Sequence, residues 1–108
     1  MVKQLSPITP GDVLFEEFLK PLKISQNRLA KEIKVPANRV SQIIHGKREI
    51  TADTALRLGK FFGIEPEFWL NLQVRYNMKI VRSKVGEKIE KEVKEHFSQS
   101  DPHNYATA

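Results

Sequence analysis

Residues 26–46 read QNRLAKEIKVPANRVSQIIHG, and this stretch predicts two short helices joined by a tight turn. Ser25 precedes the first helix as an N-cap, a position that favours serine because its hydroxyl accepts a backbone N–H. The dipeptide Val35-Pro36 interrupts the chain, because a residue before proline is biased away from helical dihedral angles. Pro36 suits the start of the second helix, which Gly46 is expected to end. The stretch therefore predicts a helix-turn-helix unit.

The apolar residues of this unit recur at helical spacing and predict which sides of the helices are buried. Four of them would attach the pair to the rest of the domain: Leu29, Ile33, Val40 and Ile43. Ala30 is small, as a residue at a helix crossing must be. The opposite face of the second helix is then free, and it carries short, mostly polar side chains: Ala37, Asn38, Ser41 and Gln42.

The free face predicts DNA recognition, because the second helix of such a motif enters the major groove while the first crosses the phosphate backbone. We expect its side chains to contact base edges. Residues 21–48 hold seven Lys and Arg against one Glu, and this cationic excess suits phosphate contacts. Those contacts are expected from Gln26, Asn27, Arg28, Arg39, Lys47 and Arg48. The alternative is a plain helical hairpin with a solvated polar outside.

Length and composition narrow the class of protein. The chain has 108 residues, of which 40% are hydrophobic and 29% charged, and its net charge is +5, which suits one compact domain. Its apolar runs fall far short of the roughly 20 residues of a membrane span, so we expect no membrane role and a cytoplasmic location. Because the sequence contains no cysteine, disulfides and thiolate metal sites are excluded.

Three further helices flank the motif, and no segment has the pattern of a strand, so the expected fold is all-α with five helices. The first opens at Thr9-Pro10-Gly11 and is expected to end at Pro21. The fourth begins after the cap Thr51 and ends at Gly63. Its predicted apolar stripe comprises Ala55, Leu56, Leu58, Phe61 and Phe62. Pro66 starts a longer fifth helix that reaches about residue 82.

The fifth helix has two apolar faces. One comprises Phe68, Trp69, Leu72, Tyr76 and Ile80, and the single tryptophan is expected in the core. The other, nearly opposite, comprises Leu70, Val74, Met78 and Val81. Because the core can cover only one of them, the second face predicts a homodimer interface.

The chain is divided into a helix-turn-helix domain at 1–82 and a charged helical extension with a polar tail at 83–108. Lys and Glu dominate after Ser83, with a thin apolar stripe spaced by four residues: Val85, Ile89, Val93 and Phe97. Pairs of Glu and Lys four residues apart support a helix over 84–96. We expect residues 98–108 to be mobile. The extension is either a solvated addition or an arm that binds a partner or braces the dimer and becomes ordered on contact.

Four quoted motifs give this chain a specific resemblance: PGDVLFEEFL at 10–19, SQIIHGKR at 41–48, ITADTALRL at 50–58 and PEFWLNLQ at 66–73. Over about residues 8–82 the chain resembles the Cro/C1-type (XRE, lambda-repressor-like) helix-turn-helix family, and within it the HigA/VapI-type antitoxins. Two positions depart from the family pattern. Lys34 stands where glycine is usual in the turn and must accept a left-handed backbone, and His45 stands where asparagine is frequent.

The resemblance implies an antitoxin that represses its own operon by binding double-stranded operator DNA and that neutralises a HigB-type ribonuclease toxin. The alternatives are a stand-alone XRE-family transcriptional regulator without a toxin partner, and a protein-interaction module without a DNA role. A ribonuclease toxin is expected to be cationic, so its binding surface should be acidic rather than the basic DNA face. Asp12, Glu16 and Glu17 on the first helix are the predicted toxin-binding residues.

The remaining chemistry-bearing residues indicate neither an enzyme nor a cofactor site. The histidines His45, His96 and His103 lack metal-ligand spacing, and the carboxylates lie in first helical turns or in Lys–Glu pairs. We therefore expect no catalytic residue, no metal, no cofactor and no small-molecule substrate.

Overall fold

The computed structural model describes residues 8–96, and within that range the protein has five helices and no strand. Helix α1 is continuous through three segments, Pro10–Val13, Leu14–Leu19 and Lys20–Leu22. The others are α2 Gln26–Ile33, α3 Ala37–Ile44, α4 Ala52–Phe62 and α5 Pro66–Glu92. The predicted all-α, five-helix architecture is confirmed. No helix in this range is long and apolar enough to span a membrane.

The predicted helix caps are present. Thr9 and Asp12 form a reciprocal capping box, in which each side chain accepts the other's backbone N–H at 3.0 and 3.1 Å. The Ser25 hydroxyl accepts the Arg28 N–H at 3.0 Å, and Thr51 caps α4 in the same way. Gly63 ends α4 in a left-handed conformation with φ of 71°. Local capping therefore sets these four helix ends.

Helix α1 differs from the sequence prediction at its C-terminal end. It does not stop before Pro21 but continues to Leu22 and ends at Lys23, whose φ is 58°. The segment Leu14–Leu19 is π-helical, so that the Lys20 N–H bonds to the Phe15 carbonyl, five residues back. This wider turn accommodates a proline that has no N–H and whose ring would clash in a regular α-helix.

Trp69 lies at the centre of the core with 0% of its surface exposed, as predicted. The ring of Phe18 in α1 lies 4.9 Å from it between centroids, and Phe62 in α4 lies at 6.0 Å. Helix α5 thus packs on α1 and α4 through one aromatic cluster. The face of α5 that carries Trp69 is the one predicted to meet the core.

One residue of the predicted apolar stripe of α4 is exposed instead of buried. Leu56 is 62% exposed, whereas Ala55 and Leu58 are buried. Ile50, which precedes the helix, takes the additional core position with 2% exposure. Helical spacing explains the error, because Ala55, Leu58 and Phe62 share one face at i, i+3 and i+7, whereas Leu56 lies on the opposite side.

The charged extension begins inside α5 rather than after it. The helix continues without a break past residue 82 to Glu92, and residues 93–96 are non-helical, so the helix ends four residues earlier than predicted. Ile89 and Val93 are 47% and 65% exposed. Phe97, His103 and the predicted mobile tail lie outside the described residues. The division at residue 82 stays a prediction.

Candidate nucleic-acid interface

Helices α2 and α3 form the predicted two-helix unit, with a turn closed by backbone hydrogen bonds. Lys34 has a φ of 61°, so the predicted left-handed conformation at this lysine is confirmed. Its N–H bonds to the Lys31 carbonyl at 3.3 Å, and the Val35 N–H bonds to the Ala30 carbonyl at 3.0 Å. The second of these is the six-residue closure typical of a helix that ends in a left-handed residue.

An ion-pair network from α4 holds the turn and α3 together, which the sequence did not reveal. Arg57 donates from Nη1 to the Ile33 carbonyl at 2.9 Å and from Nε to the Asp53 carboxylate at 2.7 Å. Asp53 also accepts from Arg39 Nη1 at 3.2 Å. The hydrogen bond from Arg57, together with the charges of both arginines, lowers the pKa of Asp53 below its usual range.

The predicted base-contacting residues share the outer face of α3. Ala37 and Asn38 are exposed, and Ser41 and Gln42 are half-buried one turn further on. His45 donates from Nδ1 to the Ser41 carbonyl at 2.7 Å. The arrangement presents short polar groups on a helix that is buried on its other side by Val40 and Ile43.

Gln42 already has a partner within the protein. Its Oε1 accepts a hydrogen bond of 2.9 Å from Arg48 Nε. This contact leaves the Gln42 amide N–H groups free to donate to base acceptors and leaves the terminal nitrogens of Arg48 free for a phosphate. The two residues were predicted to have separate roles, and the structure brings them together.

The predicted phosphate-contacting residues lie on two sides of this face. Gln26, Asn27 and Arg28 form the first turn of α2, where backbone N–H groups favour anions. Lys47 and Arg48 are exposed in the loop after α3. Two of the cations are already paired within the protein. Arg28 lies 4.0 Å from Glu32 on an exposed surface, whereas Arg39 is only 29% exposed and pairs with Asp53 at 3.2 Å, so a phosphate contact requires it to exchange partners.

Two contacts that sequence reasoning missed set the position of α3 and of the following loop. Gly11 in α1 packs against the α3 backbone so closely that a Cβ atom there would come within 2.9 Å of the Ile44 Cα. Gln73 in α5, 7% exposed, accepts the backbone N–H of Ile50 at 2.8 Å. Both residues belong to the quoted motifs, but nothing local in those motifs indicates their distant partners.

The face predicted for dimerisation is largely uncovered in the single chain. Val74, Met78 and Val81 are 56%, 42% and 47% exposed. Leu70 differs from them, because it is half-buried against the hydrophobic core. Three of the four predicted residues therefore remain available for a partner.

The predicted toxin-binding carboxylates line one shallow groove beside the apolar residues Ile8 and Val13. Asp12 has a structural role as well, since it completes the cap of α1. Glu16 pairs with Lys20 at 3.1 Å, and Glu17 is exposed. Within residues 8–96, no cluster of three or more histidines and carboxylates is arranged to hold a metal ion.

A two-helix unit with a polar outer face and cations on both sides defines a helix-turn-helix protein of the DNA-binding class. Consistent with this, a family model described as Helix-turn-helix matches residues 15–69. Virulence-associated protein I of Dichelobacter nodosus is 44% identical over 77 residues, which cover 71% of each chain. The chain belongs to the HigA/VapI-type branch of the Cro/C1-type helix-turn-helix family.

Solved structures agree with this assignment. An addiction module antidote protein of the HigA family from Coxiella burnetii is 57% identical, with a TM-score of 0.79 over 83% of this chain and 98% of its own. The Pseudomonas aeruginosa antitoxin HigA, solved with the higBA promoter, is 40% identical, with a TM-score of 0.81 over 84% of this chain and 99% of its own.

Proposed function

We propose that this protein is a sequence-specific DNA-binding antitoxin that represses the operon encoding it and neutralises a HigB-type ribonuclease toxin. The observation that carries DNA binding is the outer face of α3, where Asn38 and Gln42 lie one turn apart beside Lys47 and Arg48. Similarity to an antitoxin solved with its promoter supports the same role. The toxin partner is inferred from the family.

In this proposal the side chains divide into two groups with different tasks. Ala37, Asn38, Ser41 and Gln42 contact base edges and confer sequence preference. Gln26, Asn27, Arg28, Arg39, Lys47 and Arg48 contact phosphates and supply affinity for any sequence.

Alanine variants of the two groups should differ in whether they weaken binding to operator DNA alone or to any DNA sequence. We expect Asn38→Ala and Gln42→Ala each to cost about 1–3 kcal/mol on operator DNA. Asn38→Ala should change random-sequence binding little, whereas Gln42→Ala also releases Arg48 and should weaken random-sequence binding by a smaller amount. Lys47→Ala should weaken both DNAs alike and lower the salt slope by about 1. Lys88→Ala, an exposed cation in the extension, is the matched control and should leave both unchanged. Equal losses on both DNAs for the α3 variants would refute the base-reading assignment.

Dimerisation through α5 would cover the exposed apolar face and place two α3 helices on one duplex. A two-fold dimer predicts half-sites roughly 34–36 Å apart, or a multiple of that distance. Val74→Glu should produce monomers in sedimentation experiments, because it places a charge in an apolar interface. Leu56→Glu is the matched control, since Leu56 is similarly exposed but lies on α4. Monomers from Leu56→Glu instead of Val74→Glu would place the interface on α4.

Toxin binding is assigned to Asp12, Glu16 and Glu17, because an acidic groove with apolar walls suits a cationic protein. The double variant Glu16→Lys with Glu17→Lys should reduce toxin capture in co-purification while DNA binding persists. Glu87→Lys with Glu90→Lys applies the same charge change to exposed sites in the extension and should have little effect. If capture survives the first variant but is lost on deletion of residues 84–108, the extension is the toxin-binding arm.

A further inference from the structure

The loop at 46–50 connects α3 to α4 and carries the two exposed cations Lys47 and Arg48. Its start is tied to α3, because the Lys47 N–H bonds to the Gln42 carbonyl at 2.7 Å and the Gly46 N–H bonds to the Ile43 carbonyl at 3.1 Å. The position of its end therefore decides where the two cations point.

The end of the loop is held by α5 through a buried side chain. Gln73 Oε1 accepts the N–H of Ile50 at 2.8 Å, and Ile50 is itself 2% exposed. A buried backbone N–H is almost always paired, since leaving it unpaired costs its full desolvation. Gln73 supplies that partner from 23 residues away in sequence.

A second contact extends from the same glutamine to the neighbouring loop residue. Gln73 Nε2 donates to Asn77 Oδ1 at 3.1 Å, and Asn77 Nδ2 donates to the Glu49 carboxylate at 3.4 Å. The last two residues of the loop are thus both held by side chains one turn apart on α5. The same contacts satisfy the polar atoms of the buried Gln73 amide, so α5 and the loop end are joined by paired groups on both sides.

We propose that Gln73 is a positioning residue for DNA binding: it holds the 46–50 loop so that Lys47 and Arg48 reach the phosphate backbone and Arg48 stays bonded to Gln42. The proposal rests on the DNA-binding function proposed above. Gln73 is buried on the core-facing side of α5 and would not itself contact DNA. Its effect passes through the loop.

The test is the salt dependence of binding to a random-sequence DNA duplex between about 50 and 200 mM salt, which reports the number of phosphate contacts. Gln73→Met has a similar volume but no acceptor for the Ile50 N–H. We expect it to lower the salt slope by about 1–2 and to weaken binding about tenfold at the lower salt concentration. Concentrations are corrected for the folded fraction, so that lost stability alone leaves the slope unchanged.

Two further variants keep the test decisive. Asn77→Ala removes the contacts to Glu49 and to Gln73 Nε2 from a half-buried site but keeps the hydrogen bond from Ile50 to Gln73, so it should fold and lower the slope by about half as much. Phe68→Ala weakens the packing of the same helix against Phe18 and Trp69, away from the loop, and should keep the wild-type slope. A wild-type slope in Gln73→Met and Asn77→Ala, or an equal fall in Phe68→Ala, would overturn the positioning role. Absence of salt-dependent binding in the wild-type protein would instead overturn the proposed function, and this inference with it.

Discussion

Gly11→Ala is expected to destabilise the protein by about 3 kcal/mol or more, at or above the upper end of the usual range for overpacking. The added Cβ would come within 2.8 Å of the Ile43 carbonyl carbon and 2.9 Å of the Ile44 Cα. Both are backbone atoms of α3, so no side-chain rotation can relieve the contact. Denaturant unfolding measures the loss directly. DNA binding should also weaken among the folded molecules, because α1 would push the C-terminal end of α3 outward.

Gly86→Ala is the matched control, because it adds the same methyl group to another helical glycine. A Cβ there would meet only the Arg82 Cβ, at 3.7 Å, which is ordinary van der Waals contact. Alanine should stabilise this helix by roughly 0.5–1 kcal/mol. If the denaturant midpoint of Gly11→Ala equals that of the wild-type protein, α1 does not pack against α3 as closely as described.

Trp69→Ala is expected to cost about 3–5 kcal/mol of folding free energy, a large fraction of the roughly 5–15 kcal/mol that holds a small domain folded. Trp69 is fully buried against Phe18 in α1 and Phe62 in α4, so its removal opens a cavity where three helices meet. Its Nε1 has no hydrogen-bond partner among the described residues, so the loss comes from packing. Thermal or denaturant unfolding measures it.

Phe68→Ala tests whether the loss of stability at Trp69 comes from its burial or from its aromatic character alone. Phe68 adjoins Trp69 in sequence and contacts its ring at 5.0 Å, but it is 37% exposed. Its removal should cost clearly less than that of Trp69, because part of its surface is already in water. If both variants lose the same free energy of unfolding, the difference in burial between Trp69 and Phe68 does not determine their contributions.

The helix boundaries could be predicted because their causes are local. Thr9, Ser25 and Thr51 cap helices by accepting N–H groups three residues ahead, and Gly63 supplies a backbone conformation that other residues rarely adopt. Each of these interactions lies within a few residues of chain. Two boundaries are exceptions. At Pro21 a π-helical segment accommodates the proline, and α5 runs without a break past residue 82 to Glu92.

The outer face of α3 could also be predicted, since helical periodicity alone separates Val40 and Ile43 from Asn38 and Gln42. The partners of those side chains could not. Arg39 pairs with Asp53, 14 residues away, and Arg48 bonds to Gln42 across the loop. Such pairs depend on how the helices are placed around the core, which no pattern within one helix contains.

The sequence by itself determined the helices, their caps and the polar face of α3, because capping, proline geometry and periodicity act over one or two turns. Only the tertiary structure decided that Ile50 is buried, that Gly11 lies against α3, and that Gln73 holds the loop end. These outcomes depend on distances between helices far apart in the chain, and those distances are set when several apolar faces pack into one core.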